Sequence, residues 1–321
     1  MKKTTRTLLG IGGAFCLIGA LLFGIGFTSG GTKYVHSTNL NSMNAQEDNK
    51  ESANRFTLKK TEIPDFTSLN INLEDSDLNI EESPNEKSYI EYAQATKDKK
   101  NPVSYFIENG TLTLKEAGNT GASYYINVDI SFLQAALSSK NIEDYTKESS
   151  KYENYVTLYL PKDKLVSSAK IYLGYGDFYV KNAAFDTINI KLDDGDFDAN
   201  TLTANSGKLT FSYGDCDLQK ASLGNISLTS KDGDLTVNEL TLSGKTKIAL
   251  SYGDTEITLN DSTKKVSGFD LATHYGTITA SGLNGNKTLD EDDDVNTFQS
   301  DSKDGKTILS IDSKDGDITV K

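Results

Sequence analysis

The chain has 321 residues, enough for one large or two ordinary domains, and its 33 basic against 46 acidic residues give a net charge of −13. That balance repels phosphate backbones and argues against nucleic acid as a partner. With only two cysteines, Cys16 in an apolar run and Cys216 far beyond it, no disulfide framework is available.

In chain order, residues 1–7 form a short tail with Lys2, Lys3 and Arg6, and an uncharged apolar stretch follows from Leu8 to Phe27. About 20 such residues cross a hydrocarbon core of ~30 Å as a helix. Basic residues before the stretch and an acidic mass after it place the N-terminus in the cytoplasm and the C-terminal domain outside the cell. The segment GFTSGG, Gly26 to Gly31, is a poor cleavage site, so residues 8–27 read as an uncleaved transmembrane anchor. Gly12, Cys16, Ala20 and Gly24 recur at every fourth position. Small side chains on one helix face let two membrane helices approach closely, which makes a homodimer through this helix one expectation. Residues 28–55 are polar and aperiodic, the composition of a flexible linker.

From Phe56 the pattern changes to short alternating runs, so residues 56–321 read as one extracytoplasmic β-strand-repeat domain. Leu69, Ile71 and Leu73, then Leu78 and Ile80, flank the polar Glu74–Asp77, which predicts strand, tight turn, strand. Residues 84–150 are less regular and read as an insertion, with extended candidates at Thr111–Leu114 and Tyr124–Ile130 and a helix over Ser131–Ser139.

Regular repeats occupy residues 156–321. SYGDCDL (Ser212 to Leu218), KDGDLTV (Lys231 to Val237), SYGDTEI (Ser251 to Ile257) and KDGDITV (Lys314 to Val320) are variants of one phrase. Its glycines are Gly176, Gly195, Gly214, Gly233, Gly253, Gly276 and Gly316, at intervals of 19, 19, 19, 20, 23 and 40 residues. The last interval is close to two periods, which predicts one coil without its signature around Asp290–Asp294. Mostly apolar residues sit five and three positions before each Gly and two and four after it, with Ser230, Thr255, Thr273 and Ser313 as the polar exceptions. Each unit is therefore strand, corner, strand, and no unit can bury its apolar side alone. Stacking the units does so, which predicts an all-β parallel β-solenoid with repeats of about 19 residues, preceded by one transmembrane helix. Cys216 occupies the place of Phe178, Phe197 and Leu235 and reads as a small buried hydrophobe.

The corner glycine accepts positive φ, and Asp177, Asp196, Asp215, Asp234, Asp254 and Asp317 after it read as local Asx-type caps, with Thr277 as an uncharged replacement. Tyr175, Asp194, Tyr213, Asp232, Tyr252 and Tyr275 occupy the place before the glycine, followed in sequence by Asp315. Stacking would line them up as a polar, aromatic strip fit for a sugar or wall polymer.

Asp193, Asp194, Asp196 and Asp198 concentrate hard oxygen ligands and are weak calcium candidates, although they match neither an EF-hand nor a calcium β-roll spacing. With His36 in the linker and His274 beside a corner there is no histidine cluster for zinc or triad chemistry, and the sequence calls for no cofactor.

These residues resemble a family of bacterial β-strand-repeat domains known as "putative adhesins". The run VTLYLPKDKLVSSAKIYLGYGDFYV (Val156 to Val180), the later Gly-Asp corners and the opening TEIPDFTSLNINLEDSDLNIEES (Thr61 to Ser83) carry the likeness. The resemblance implies a fold signature without catalytic residues. For members with one N-terminal membrane helix it also implies association with cell-envelope stress in Gram-positive bacteria. The expected function is a non-enzymatic envelope module that binds wall polymer, a surface protein or a membrane protein. A carbohydrate-active β-helix enzyme using paired carboxylates, and a membrane-tethered regulator working through a membrane partner, are the alternatives.

Overall fold

The computed structural model describes residues 54–96, 101–117, 154–290 and 294–321. The anchor at 8–27 with its small-residue face, most of the linker, Tyr124–Ile130 and the Ser131–Ser139 helix lie outside the described residues. No helix among the described residues is long and apolar enough to cross a membrane.

Alternating apolar residues give strands, which among the described residues form one 23-stranded sheet. The N-terminal part supplies β1 (Asn54–Ile63), β2 (Ser68–Leu73), β3 (Asp77–Glu82), β4 (Ser88–Thr96), β5 (Val103–Glu108), β6 (Thr111–Glu116) and β7 (Tyr155–Leu160). The repeats supply β8 (Leu165–Leu173), β9 (Phe178–Val180), β10 (Ala183–Leu192), β11 (Phe197–Ala199), β12 (Leu202–Tyr213) and β13 (Cys216–Leu218). They continue with β14 (Ala221–Asp232), β15 (Leu235–Leu242), β16 (Lys245–Tyr252) and β17 (Thr255–Leu259). A short helix, α1 (Asp261–Val266), follows, its first turn capped by the Asn260 side chain, which accepts the Thr263 amide at 2.8 Å. Last come β18 (Gly268–Thr273), β19 (Ile278–Ala280), β20 (Asn286–Asp290), β21 (Val295–Ser300), β22 (Ile308–Asp315) and β23 (Ile318–Val320).

Each coil is one long strand, a Gly-Asp corner and one short strand, paired in parallel with the same residues of the next coil. Ile190 faces Leu209 and Leu209 faces Leu228, and on the short side Phe197 faces Cys216 and Cys216 faces Leu235. Buried positions alternate along β10 but slip by one residue between Phe185 and Ile188. The inward-facing set therefore changes phase there, and both halves of the strand contribute to the core. Inward columns form the core. The Phe178 and Phe197 rings stack at 5.0 Å, and Cys216, in the same column, is 2 % exposed with its thiol pushed up by burial. Each fully buried apolar side chain contributes roughly 1.5–3 kcal/mol. The apolar positions read from the repeat are buried throughout, except Ala280 in an end layer, which is partly buried.

Chain order and stacking order part company at both ends. β22 pairs with β16 on one side and with β18 on the other, and β23 likewise lies between β17 and β19. The chain therefore leaves β17, builds the outermost layer from β18 and β19, and returns to fill the gap it left. Among the described residues no signature-less coil is formed near Asp290–Asp294. The extra residues of the 40-residue interval form the β20–β21 hairpin, and β21 lies antiparallel on β18. A parallel end layer leaves a row of unpaired backbone groups, and this strand satisfies them. At the other end β2 and β3 lie between β6–β7 and β8–β9, so the segment read as irregular contributes a layer strand. β5 and β4 cap that end, antiparallel to β6 and β7.

Candidate functional site

The Gly-Asp corner repeats in register along the stack and brings the chemistry-bearing side chains together. Gly195, Gly214, Gly233, Gly253 and Gly316 have φ between 115° and 148°, as the sequence suggests, whereas Gly176 and Gly276 do not adopt positive φ, so there the turn itself does not demand glycine. A second constraint applies to all seven glycines. A Cβ on Gly214 would fall 2.2 Å from the Gly195 carbonyl oxygen, and one on Gly276 would fall 2.0 Å from that of Gly316. The glycines sit directly over one another, and a side chain would force the coils apart.

The aspartates after them do not cap their own turn. Each carboxylate accepts the amide one coil further along. The Asp196 amide donates to Asp177 Oδ1 at 2.9 Å, Asp215 to Asp196 at 2.8 Å, Asp234 to Asp215 at 2.8 Å and Asp254 to Asp234 at 2.8 Å. The ladder begins at Asp77, which accepts from Asp177, and runs on through Asp254 to Asp317. It ends where the Thr277 amide donates to Asp317 Oδ1 at 2.8 Å. Thr277 belongs to the last parallel layer, so no further amide waits for a carboxylate there. Stacking at ~4.8 Å puts the next amide within reach of each carboxylate, and an ionised acceptor strengthens the bond. The same spacing makes neighbouring carboxylates repel, a cost that water and salt screen at this exposed edge.

One residue before the glycines lies the strip. Tyr213 faces Asp232, Asp232 faces Tyr252, and Tyr252 faces Asp315. Gly276 stacks on Gly316, which sets Tyr275 beyond Asp315. In the other direction the Asp194 amide donates to the Gly174 carbonyl and that of Tyr175 to Glu74, bringing Tyr175 and then Asp75 into the same column. The spatial order is Asp75, Tyr175, Asp194, Tyr213, Asp232, Tyr252, Asp315, Tyr275. It alternates without a break, whereas in sequence Tyr252 and Tyr275 are consecutive and Asp315 comes last. Tyr175 is 63 % exposed, Tyr213 56 %, Tyr252 58 % and Tyr275 66 %. Asp75 is the strip residue that repeat counting leaves out, because Ser76 replaces the corner glycine. Its signal is the match of LEDSDLNI (Leu73 to Ile80) to the later LGYGDFYV (Leu173 to Val180).

The four calcium candidates diverge. Asp193 accepts from the Tyr172 hydroxyl at 2.9 Å and from Lys191, whose ammonium holds the Asp193 carboxyl below its usual range. The same carboxylate pushes the Tyr172 hydroxyl up to about 12. Asp196 belongs to the ladder, Asp194 to the strip, and Asp198 lies on β11 in register with Asp217. Partial desolvation raises the carboxyl of Asp198, which is exposed on β11, and Asp217 adds to the shift. Among the described residues no group of three or more His, Cys, Asp or Glu side chains is placed to hold a metal ion.

Comparison with protein families matches residues 66–321 to the model described as Toastrack DUF4097. No curated protein matches the chain. Among solved structures, a "putative adhesin" from Bacteroides fragilis NCTC 9343 is 10 % identical, over 84 % of this chain and 98 % of that one, with a TM-score of 0.41. A "putative adhesin" from Parabacteroides merdae ATCC 43184 is 13 % identical, over 84 % and 97 %, at 0.42. A "putative lipid binding protein" from Parabacteroides distasonis ATCC 8503 is 12 % identical, over 84 % and 98 %, at 0.40.

Proposed function

We propose that this chain, which belongs to the Toastrack DUF4097 family, is a non-enzymatic binding module of the cell envelope, held outside the cell on a membrane anchor. The observation that carries this reading is the row of Tyr175, Tyr213, Tyr252 and Tyr275, each more than half exposed at one corner of the stack. The same stack buries Phe178, Phe185 and Phe197 completely. Aromatic rings left out in a regular row, each with a polar tip, suit a surface that meets a partner.

The ladder supports a binding rather than a hydrolytic role. Its carboxylates recur in layer after layer and are each engaged by a backbone amide, whereas acid–base chemistry needs one pair set apart from the rest. The apolar stretch at residues 8–27, with Lys2, Lys3 and Arg6 before it, supports the anchor and its orientation. A domain this acidic attracts cationic peptides, which fits a part in the envelope's response to them.

The test is retention of the full chain on isolated cell envelopes. The parent protein is expected to be retained, and a Tyr213→Ala/Tyr252→Ala double variant to lose most of that retention. Equal retention of the two would sink the reading. Alkaline carbonate extraction checks the anchor, because a chain released into the supernatant is not membrane-spanning.

A further inference from the structure

We infer that the Tyr–Asp corner takes an extended cationic chain: a basic peptide segment in polyproline II conformation with Lys or Arg at every third residue. This rests on the corner being a binding surface and names the ligand class that its geometry selects.

The spacing decides the conformation. Alternation makes the strip repeat every two layers, about 9.6 Å at a layer spacing of ~4.8 Å. A fully extended β peptide presents same-face side chains every ~6.7 Å and falls out of step at once. An α-helix returns to the same face after seven residues, about 10.5 Å, and drifts by roughly 1 Å at each site. A polyproline II chain presents every third side chain at about 9.3 Å, so it drifts by only about 0.3 Å per site and about 1 Å along the whole strip. Flexible side chains absorb that.

The charge decides the sign. Each exposed ring has a carboxylate in the layer on one or both sides of it: Asp194 and Asp232 flank Tyr213, and Asp232 and Asp315 flank Tyr252. A guanidinium laid on the ring face therefore meets an acceptor one layer away, which combines cation–π attraction with a charge-assisted hydrogen bond. Lys231 and Lys314 precede two of the strip carboxylates. The ladder carboxylates on the far side of the glycines outnumber them and keep the edge attractive to cations and repellent to anionic polymers. The alternation depends on Asp315 filling the place between Tyr252 and Tyr275, which the returning β22 supplies.

The experiment is calorimetric titration of the full chain with two peptides of equal length and charge. One is four consecutive Arg-Pro-Pro triplets, and the other has its four arginines in one block followed by the prolines. The triplet peptide is expected to bind roughly tenfold more tightly. Tyr213→Ala/Tyr252→Ala should remove that advantage, and Tyr213→Phe, which keeps the ring, should retain it. Equal affinity for the two peptides would mean binding by charge alone and would overturn the register. If neither peptide binds, yet envelope retention still depends on Tyr213 and Tyr252, the cationic ligand class falls and the binding reading stands. The comparison between peptides uses the unaltered chain, so a variant that fails to fold does not blunt it.

Discussion

At the scale of single residues, the corner holds two kinds of constraint that look alike in the sequence. Gly214 is fixed both by a φ of 115° and by the Gly195 carbonyl that a Cβ would meet at 2.2 Å. Strained φ alone costs a non-glycine residue about 1–3 kcal/mol, and parting two coils adds to that. Gly214→Ala is therefore expected to lower unfolding stability by more than about 2 kcal/mol in a denaturant titration. Loss of under about 0.5 kcal/mol would mean that the stack yields easily. Asp198 is constrained electrostatically, because partial desolvation of this exposed side chain on the strand, and then Asp217 beside it, raise its carboxyl above the ordinary 3.8. Between the unfolded and native values the native state binds a proton that the unfolded chain has released. The group's contribution is thus fully present below the unfolded value and is lost as pH rises through the native one. Asp198→Asn should accordingly melt above the parent at neutral pH, with the gap closing by roughly pH 3. A gap that stays constant with pH would rule out this origin.

At the scale of elements, the C-terminal strands carry more than their position in the chain suggests. β22 and β23 form an internal layer, with β16–β17 on one side and β18–β19 on the other. Removing residues 308–321 takes out a middle layer and strands the layer beyond it, including the cap held by Phe298 on Leu271 and Phe269. In a solenoid stacked in chain order the same truncation would peel off one terminal coil. The shortened chain is expected to lose protease resistance over residues 268–300 as well. Resistance retained there would contradict the return of β22 into the stack.

At the scale of the whole domain, both ends are stitched by strands that run outward and then back, and both are closed by antiparallel strands. Repeat proteins stacked in chain order fray from their termini because each unit touches only its neighbours. Here the terminal layers are tied to internal ones by chain connectivity, so a single cooperative unfolding transition is expected. Hydrogen exchange should give β6 and β18 protection similar to that of β12. Ends that exchange far faster than β12 would show that the stitching adds little. The same stacking concentrates carboxylates along one edge of an acidic molecule, where no single coil would hold more than a few.

The sequence by itself determined the coil, because side-chain alternation and the Gly-Asp interval are local properties that survive without knowing any partner. Ile190, Leu209 and Leu228 declare themselves by spacing, as do Gly195 and Gly214. It also supplied most of the strip's members. The order of the coils was illegible there, because a 40-residue interval reads equally as a lost repeat or as a hairpin with a return. The role of the aspartates was hidden for a similar reason, since the amide that Asp196 accepts lies 19 residues away and local turn rules point elsewhere. Pairing between strands distant in the chain is decided by which edges remain unsatisfied when the layers assemble. That competition exists only in the tertiary structure, and it alone set Asp315 between Tyr252 and Tyr275.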